Sequence, residues 1–516
     1  RVEAVVDRVN TTGTVWLGLT VGCAQCHDHK YDPISQKEYY RLFAFFNSDV
    51  EEDVPAPLPH RDEEFAREQA EFERKADELT RAVRQRREQL AKLQAEWEKD
   101  LNPEAAAKLP EDIQAILKLP AAMRSAGQKK ALADHFARSD AELARRQKAL
   151  AAHRKAAPQP ALAQVLKLGP PRKTHVMARG DFLRPGEEVR PGTPAVLPPM
   201  PDGPNPTRLD LANWIVSPEN PLTARVTVNW VWQKYFGRGL VETLEDFGTR
   251  STPPSHPELL DWLAGEFKDR GWGVKDLHRL IVTSATYRQS SKDRPELRGR
   301  DPRNVLLARQ ARLRLSAEAV RDSALAASGL LAPVIGGPSV RPPQPPGVSE
   351  LTYAGSAKWV ESRGPDRYRR GLYIWFQRTS PFPMLMTFDA PDSNVCAVRR
   401  ERSNTPLQAL TLLNDVAFVE CAQALGRRIA GEEPGGVAER VAYGFRLCVA
   451  REPTSAERAR LVRLFGELRA LAAADPAGAA ELAGPHRPPG ADPAEAAAWA
   501  ALARALLNLD EFVTRE

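Results

Sequence analysis

The sequence lacks long apolar runs, charge tails and familiar catalytic signatures. None of its hydrophobic stretches approaches the roughly 18 residues that a membrane-spanning helix needs, so we predict no transmembrane segment. Its 73 basic and 67 acidic residues are interleaved, and the net charge of +6 does not predict a nucleic-acid partner. A Gly-rich phosphate cradle, a Gly-x-Ser-x-Gly elbow and a His-Glu-x-x-His pair are also missing. An enzymatic activity is therefore left open.

Cysteine is scarce, and two of the five cysteines fall within residues 23–27. Two thiols three residues apart, followed at once by an imidazole, form the attachment pattern of a c-type haem. On a helix, Cys23, Cys26 and His27 stand at i, i+3 and i+4 and share one face. Both sulfurs can then bond the porphyrin edge while the imidazole ligates the iron. We predict covalent haem c at Cys23 and Cys26, with His27 as the iron ligand.

Other interpretations of this run remain open. His29 lies about 200° around a helix from His27, so it should support the site or face elsewhere. Zinc is the alternative cofactor, because two thiols and a histidine supply part of a tetrahedral set. No second Cys-x-x-Cys or His-x-x-x-His follows at finger spacing, so zinc would need distant ligands. A thioredoxin-like redox pair lacks the surrounding strand–motif–helix unit. The scattered Cys396, Cys421 and Cys448 are expected to be small buried side chains.

Composition divides the chain into four predicted parts. Residues 1–57 carry the cysteine–histidine run, and residues 58–157 carry two heptad-like series that predict an antiparallel coiled-coil hairpin. Residues 158–206, rich in proline and glycine, predict an extended strap with a strand at Thr174–Met177, packed on a neighbouring domain. Residues 207–516 predict a large helical domain. The predicted fold class is mainly α and multi-domain. The heptad positions are Phe65, Phe72, Ala76, Leu79, Val83, Leu90, Leu93 and Trp97, then Leu132, Phe136, Leu143 and Leu150.

Local signals place further elements. Ser35 and Glu38, three residues apart, predict a capping box. The helix that follows should present one apolar stripe, formed by Tyr39, Leu42, Phe43 and Phe46. Residues 371–376 are the best strand candidate of the second half. Residues 470–494, heavy in alanine, glycine and proline, are predicted to form a surface loop.

A second candidate site is a polar concentration just before a predicted helix start at Thr405. It contains Asp389, Asp392, Asn394, Arg399, Arg400, Glu401, Arg402 and Asn404. Arginine forks and helix amides both bind carboxylate, sulfate or phosphate, so the cluster could hold an anionic ligand. An internal ion-pair network that fixes a loop is the alternative interpretation. His256 and His278 have the neighbours of helix caps and amphipathic faces, which predicts structural roles for both.

Several runs resemble one family. The stretch 22–33 resembles the end of the planctomycete cytochrome-c-like domain of unknown function, DUF1549. The stretches 220–226, 229–233, 235–241, 284–290 and 402–408 resemble its usual C-terminal partner, DUF1553. The resemblance implies a large exported protein of the PSCyt/PSD type, often with another cytochrome-c module upstream. Haem binding and electron transfer are inferred for such proteins, without a defined reaction. Since the chain opens at Arg1, we expect an N-terminally truncated form whose signal sequence is lost.

Three functional hypotheses follow. The first is an extracytoplasmic electron carrier or redox sensor, with a redox partner protein or an upstream cytochrome module. Its sixth iron ligand could be His175, Met177 or Met200, a residue upstream of this chain, or none. The second is an enzyme or binding protein for polysaccharides or sulfated glycans, with the arginine cluster as substrate site. The third is an envelope scaffold in which the cysteine–histidine run holds a structural metal and the coiled coil recruits a partner.

Overall fold

A computed structural model describes residues 1–56, 62–160, 162–201, 203, 205–345, 347–348, 358–394 and 396–515. Helix accounts for 55% of the chain and strand for 6%, which confirms the mainly α fold class. In the described ranges, no helix is both long enough and apolar enough to cross a bilayer.

The α-helices of the described residues follow in chain order. They are α1 (Val2–Thr12), α2 (Gln36–Ala44), α3 (Asp62–Asp100), α4 (Pro103–Ala106), α5 (Glu111–Leu117), α6 (Ala126–Ala137), α7 (Ala141–Lys155), α8 (Arg208–Ile215), α9 (Thr223–Phe236), α10 (Pro257–Asp269), α11 (Val274–Thr283), α12 (Ala285–Arg288), α13 (Ala317–Ser328), α14 (Pro383–Thr387), α15 (Pro406–Asn414), α16 (Val416–Glu432), α17 (Val437–Val449), α18 (Ser455–Ala474), α19 (Pro476–Ala483) and α20 (Pro493–Leu507).

Strands are short and pair only in twos. They are β1 (Asp49–Pro55), β2 (Leu162–Leu168), β3 (Thr174–Met177), β4 (Pro185–Val189), β5 (Leu313–Arg314) and β6 (Thr514–Arg515). The pairs are β1 with β2, β3 with β4 and β5 with β6. The β3–β4 and β5–β6 pairs are antiparallel, and β3 lies where the sequence predicts it.

The described chain forms two compact units. One comprises Arg1–Asp49 and Gly169–Glu516, and the other comprises Val50–Leu168. The predicted boundary at residues 57 and 58 lies outside the described residues, and the four-part division stays a prediction. Strand β2, at the start of the predicted strap, pairs with β1 and belongs to the second unit.

The second unit is the predicted antiparallel hairpin. Near one end of α3, Trp97 meets Phe136 with ring centroids 5.3 Å apart; near the other end, Phe72 stacks on His153 at 4.2 Å. The first arm is one helix of 39 residues. The second arm, predicted as a continuous series, is two helices, because the Asp140 side chain accepts from the Leu143 N–H and starts α7 anew.

The first unit contains a core around the N-terminal segment. Ser35 and Glu38 form the predicted capping box of α2, whose stripe buries Tyr39, Leu42 and Phe43 completely, with Phe46 at the edge. The strap packs on this core as predicted, through Val189 and Leu197, and Glu38 accepts from the Ala195 N–H at 2.7 Å. The strap therefore has no core of its own.

Two further cores lie in the same unit, one between α9, α10 and α11 and a larger one centred on α13, α16 and α20. Helices α16 and α20 approach so closely at Gly426 that a Cβ there would lie 2.8 Å from the Ala500 backbone nitrogen. Glycine is therefore needed at this crossing.

Two sequence-based predictions are wrong here. Residues 371–376 form a 3₁₀ turn at Gly371–Tyr373, followed by a single bridge from Ile374 to Val340. A short apolar run does not distinguish strand from other buried backbone. The predicted loop 470–494 is largely helical, because α18 ends at Ala474 and α19 spans Pro476–Ala483. Alanine is the strongest helix former, and the Asp475 side chain caps α19.

Candidate functional site

The cysteine–histidine run lies on the surface of the first unit. A 3₁₀ segment spans Val21–Gln25, and Cys26 follows it with near-helical dihedral angles. Side chains three residues apart eclipse one another in a 3₁₀ helix, so this conformation keeps Cys23 and Cys26 on one side. Both cysteines are exposed with free thiols, and His27 is exposed as well. The α-helix expected for this run is not formed, because the 3₁₀ segment ends at Gln25 and His27 lies in a bend beyond it; a common face for all three side chains stays a prediction.

The backbone of the run is held by α2 and by the strap. The Tyr40 hydroxyl donates to the Gln25 carbonyl at 2.9 Å, and the Gln36 amide donates to the same carbonyl at 3.0 Å. The Gln36 amide also donates to the Met177 carbonyl at 3.0 Å. Burial, and then the proximity of the Cys26 sulfur, raises the pKa of Tyr40 to about 12. Tyr40 therefore stays protonated and keeps donating.

The hydrogen bond of His27 fixes its tautomer. Its Nδ1 lies 2.7 Å from the Asp28 carbonyl oxygen. A carbonyl only accepts, so Nδ1 carries the proton and Nε2 presents a lone pair. Metal-bound histidines have this arrangement, with one ring nitrogen donating to a backbone carbonyl or carboxylate and the other facing the metal.

The neighbouring His29 has the opposite tautomer. Its side chain is only 4% exposed, and its Nδ1 accepts from the Asp32 N–H at 2.8 Å. The Asp32 carboxylate in turn accepts from the Thr249 N–H at 2.7 Å and from the Thr249 hydroxyl at 3.0 Å. His29 and Asp32 therefore fasten the end of the motif to a loop that follows α9, which agrees with the supporting role expected for His29.

The turn between β3 and β4 lies against the second cysteine. Gly180 has a φ of +77°, and a Cβ there would lie 2.8 Å from the Cys26 Sγ. Glycine at this position lets the backbone pass beside the sulfur. No local signal predicts this contact, because 154 positions separate Gly180 from Cys26 and no motif links them.

The three candidates for a sixth iron ligand lie in the strap. The His175 Nδ1 is 3.0 Å from the Gly186 carbonyl, on the exposed side of β3. Met177 and Met200 pack against the core that contains Tyr39. A role for any of them as ligand stays a prediction.

The zinc interpretation gains no further ligands. Within the described ranges, no three His, Cys, Asp or Glu side chains converge as a metal site requires. The other cysteines differ from one another. Cys421 is buried as expected, and burial raises its pKa to about 12. Cys448 is partly buried, whereas Cys396 is exposed, contrary to the expectation.

The arginine cluster is only partly brought together. Asp389 accepts from the Ser403 N–H at 2.7 Å, so it fixes a loop. Arg400 pairs with Glu318 at 2.8 Å, and Arg399 pairs with Glu401 at 3.6 Å. These contacts match the ion-pair interpretation. Arg402 differs from these residues, because it has no ion-pair partner among the residues that the structure describes. It lines a cavity of about 450 Å³, to which Arg400 and Asp389 also contribute.

The two predicted structural histidines have local partners. His256 precedes α10, with its Nδ1 3.0 Å from the Ser255 hydroxyl. The His278 Nδ1 lies 2.8 Å from the Tyr235 hydroxyl. The His278 contact joins α11 to α9, whereas the His256 contact lies within the residues that precede α10.

The fold and the surface run together define a mainly α protein whose N-terminal segment presents a Cys-x-x-Cys-His site on a helical C-terminal body. Residues 207–465 match the model of PSD1, a protein of unknown function (DUF1553), and residues 1–51 match PSCyt2, also of unknown function (DUF1549). The chain belongs to this family of paired planctomycete PSCyt/PSD domains, as the motifs predict. No curated protein and no solved structure matches the chain.

Proposed function

We propose that the protein is an extracytoplasmic c-type haem protein that transfers electrons. In this proposal Cys23 and Cys26 form the two thioether bonds and His27 ligates the iron through Nε2. The observation that carries the proposal is the 2.7 Å contact between the His27 Nδ1 and the Asp28 carbonyl oxygen, because a proton on Nδ1 leaves Nε2 to ligate the iron. An exposed histidine with a free Nε2 lone pair beside two exposed free thiols is the donor set that covalent haem requires.

The surroundings of the run support the same function. Tyr40 and Gln36 hold the motif backbone at the Gln25 carbonyl, and Cys23, Cys26 and His27 remain exposed. Gly180 keeps a side chain away from the Cys26 sulfur. A bound haem would supply one-electron redox chemistry, and the chain's own residues would hold and orient it.

The location follows from the attachment chemistry. Haem is bonded to Cys-x-x-Cys-His motifs outside the cytoplasm, so we place the protein in an extracytoplasmic compartment. Its electron partner would be a second redox protein or an upstream cytochrome module. A zinc-stabilised envelope scaffold is the competing use of the same thiols and is distinguished by the experiment below.

The test is covalent haem content. The chain is exported in a host with a c-type maturation system, together with a Cys23→Ala/Cys26→Ala variant. Cys396→Ala serves as the matched control, because Cys396 is also an exposed free thiol. We expect one haem per chain that survives acid–acetone extraction in the wild type and in the control, and none in the double variant.

The metal content of the same samples separates the alternatives. Stoichiometric zinc without haem in the wild type, lost in the double variant, would replace the electron carrier with the scaffold. Equal haem in the wild type and the double variant would show that the cysteines do not attach it.

A further inference from the structure

A cavity in the C-terminal part of the first unit is built from distant segments. The end of α9 contributes Gln233 and Lys234, the β5–β6 pair contributes Arg314 and Arg515, and the loop before α15 contributes Arg402. Its volume of about 450 Å³ is within the usual range of small-molecule sites. The cavity is separate from the cysteine–histidine run in its residues and in its chemistry.

The acidic groups around this cavity are already engaged. Glu318 pairs with Arg400 at 2.8 Å, and Asp389 accepts from the backbone and hydroxyl of Ser403. Glu401 pairs with Arg399 at 3.6 Å. None of the three carboxylates is left to neutralise a further cation by a direct contact.

Four cations at the cavity have no such partner. Among the residues that the structure describes, no carboxylate lies within ion-pair distance of Lys234, Arg314, Arg402 or Arg515. The guanidinium of Arg515 donates to the Tyr235 carbonyl, and its buried Nε has no hydrogen-bond partner. The Nε of Arg314 is likewise buried without a partner. The walls therefore hold several donors that nothing in this part of the chain satisfies.

The cations also repel one another. Burial, and then the nearby Arg400 and Arg402, lowers the pKa of Lys234. Burial, and then Arg515, lowers the pKa of Arg402. Glu318 opposes this repulsion only in part. Holding the like charges together costs free energy, and a bound anion would recover it.

The first turn of α13 adds to the positive electrostatic potential of the cavity. Ser316 caps the helix, and Ala317 and Ala319 line the cavity. The N-terminus of a 12-residue helix carries a positive partial charge that favours anions. The partial charge of the helix N-terminus strengthens the attraction that the cations exert on an anion, but it does not define the site alone.

We propose that this cavity binds a small ligand that carries a phosphate or sulfate group. Lys234, Arg402 and Arg515 supply the charge, and the arginines supply the paired donors that such tetrahedral oxyanions accept. The proposal does not depend on haem, since none of these residues belongs to the cysteine–histidine site.

The experiment uses calorimetric titration of the full chain with inorganic phosphate and, separately, inorganic sulfate, each at an ionic strength matched with chloride. The variants are Lys234→Gln and Arg402→Gln, and Arg399→Gln is the control, because its exposed partner Glu401 satisfies it. We expect saturable binding, weakened at least tenfold in each variant and unchanged in the control. The oxyanion that binds more tightly identifies the class of ligand.

A stability measurement keeps the test decisive. The unliganded Lys234→Gln and Arg402→Gln proteins should be as stable as the wild type or more so, because each variant removes a repelling charge. Equal responses to chloride and to the two oxyanions, or unchanged binding in both folded variants, would overturn the proposal.

Discussion

Gly180→Ala tests whether the strap turn must leave space beside Cys26 for the proposed haem attachment. The new Cβ would lie 2.8 Å from the Cys26 Sγ, at a φ of +77°. The left-handed conformation costs an alanine about 1–2 kcal/mol. The sulfur belongs to a short side chain that can rotate away, so we expect the contact to displace Cys26 rather than add much to that cost.

Gly271→Ala is the matched control. Gly271 has a φ of +66°, and nothing lies within 4 Å of its added Cβ. Urea denaturation should therefore show similar losses of unfolding free energy for both variants. Haem per chain, measured after export with c-type maturation, should fall only in Gly180→Ala. Wild-type haem content in Gly180→Ala, or an equal fall in both variants, would refute the argument.

Three further predictions concern stability and reactivity. Asp32→Ala should lower the unfolding free energy by about 2 kcal/mol in urea titrations, because it removes two charge-assisted hydrogen bonds that the buried Asp32 carboxylate accepts from Thr249. The hydrogen bond from Arg451, and then those from Thr454 at the start of α18, lower the pKa of Glu457 from 4.5 to about 2. The ionised Glu457 therefore stabilises the folded protein fully above pH 4.5, and this stabilisation is lost as the pH falls towards 2. Glu457→Gln should thus cost about 1 kcal/mol at pH 7, after allowance for solvent screening, and flatten the acid limb of the stability profile. In haem-free protein, alkylation monitored by mass should modify both motif thiols and Cys396 readily, while Cys421 with its raised pKa stays unmodified; equal labelling of Cys421 would contradict its placement.

Much of the fold follows from local sequence. The capping box at Ser35 and Glu38 was predicted because both partners lie within one helical turn. The hairpin was predicted because its apolar positions repeat regularly along both arms. The starts of α13 and α15 carry the same kind of local signal, in Ser316 and Thr405. Signals of this sort are fixed by neighbours a few residues apart.

The errors arise where contacts distant in sequence, or the amino-acid composition of a segment, determine its secondary structure. Residues 371–376 are apolar enough for a strand, yet Gly371 lies against α13 and its N–H donates to Asp322 at 2.6 Å. Proline and glycine suggested a loop at residues 470–494, but the alanines between them form α19.

The two candidate sites differ in how much of each could be read from sequence. The thiols and His27 form a contiguous run, so their residue types and spacing are visible directly. The anion cavity combines Lys234, Arg402 and Arg515, which come from three separate regions of the chain. Of these three residues, the sequence analysis includes only Arg402 in a candidate anion site. Lys234 and Arg515 are distant in sequence, and only the packing of the folded chain brings them beside Arg402.

The most direct test of the central claim is peptide mapping by mass spectrometry on protein purified from its natural host. The account predicts that the peptide containing Cys23, Cys26 and His27 carries the mass of one haem, with an absorption spectrum typical of two thioether bonds in pyridine. Recovery of that peptide with both thiols unmodified, from colourless protein, would contradict it.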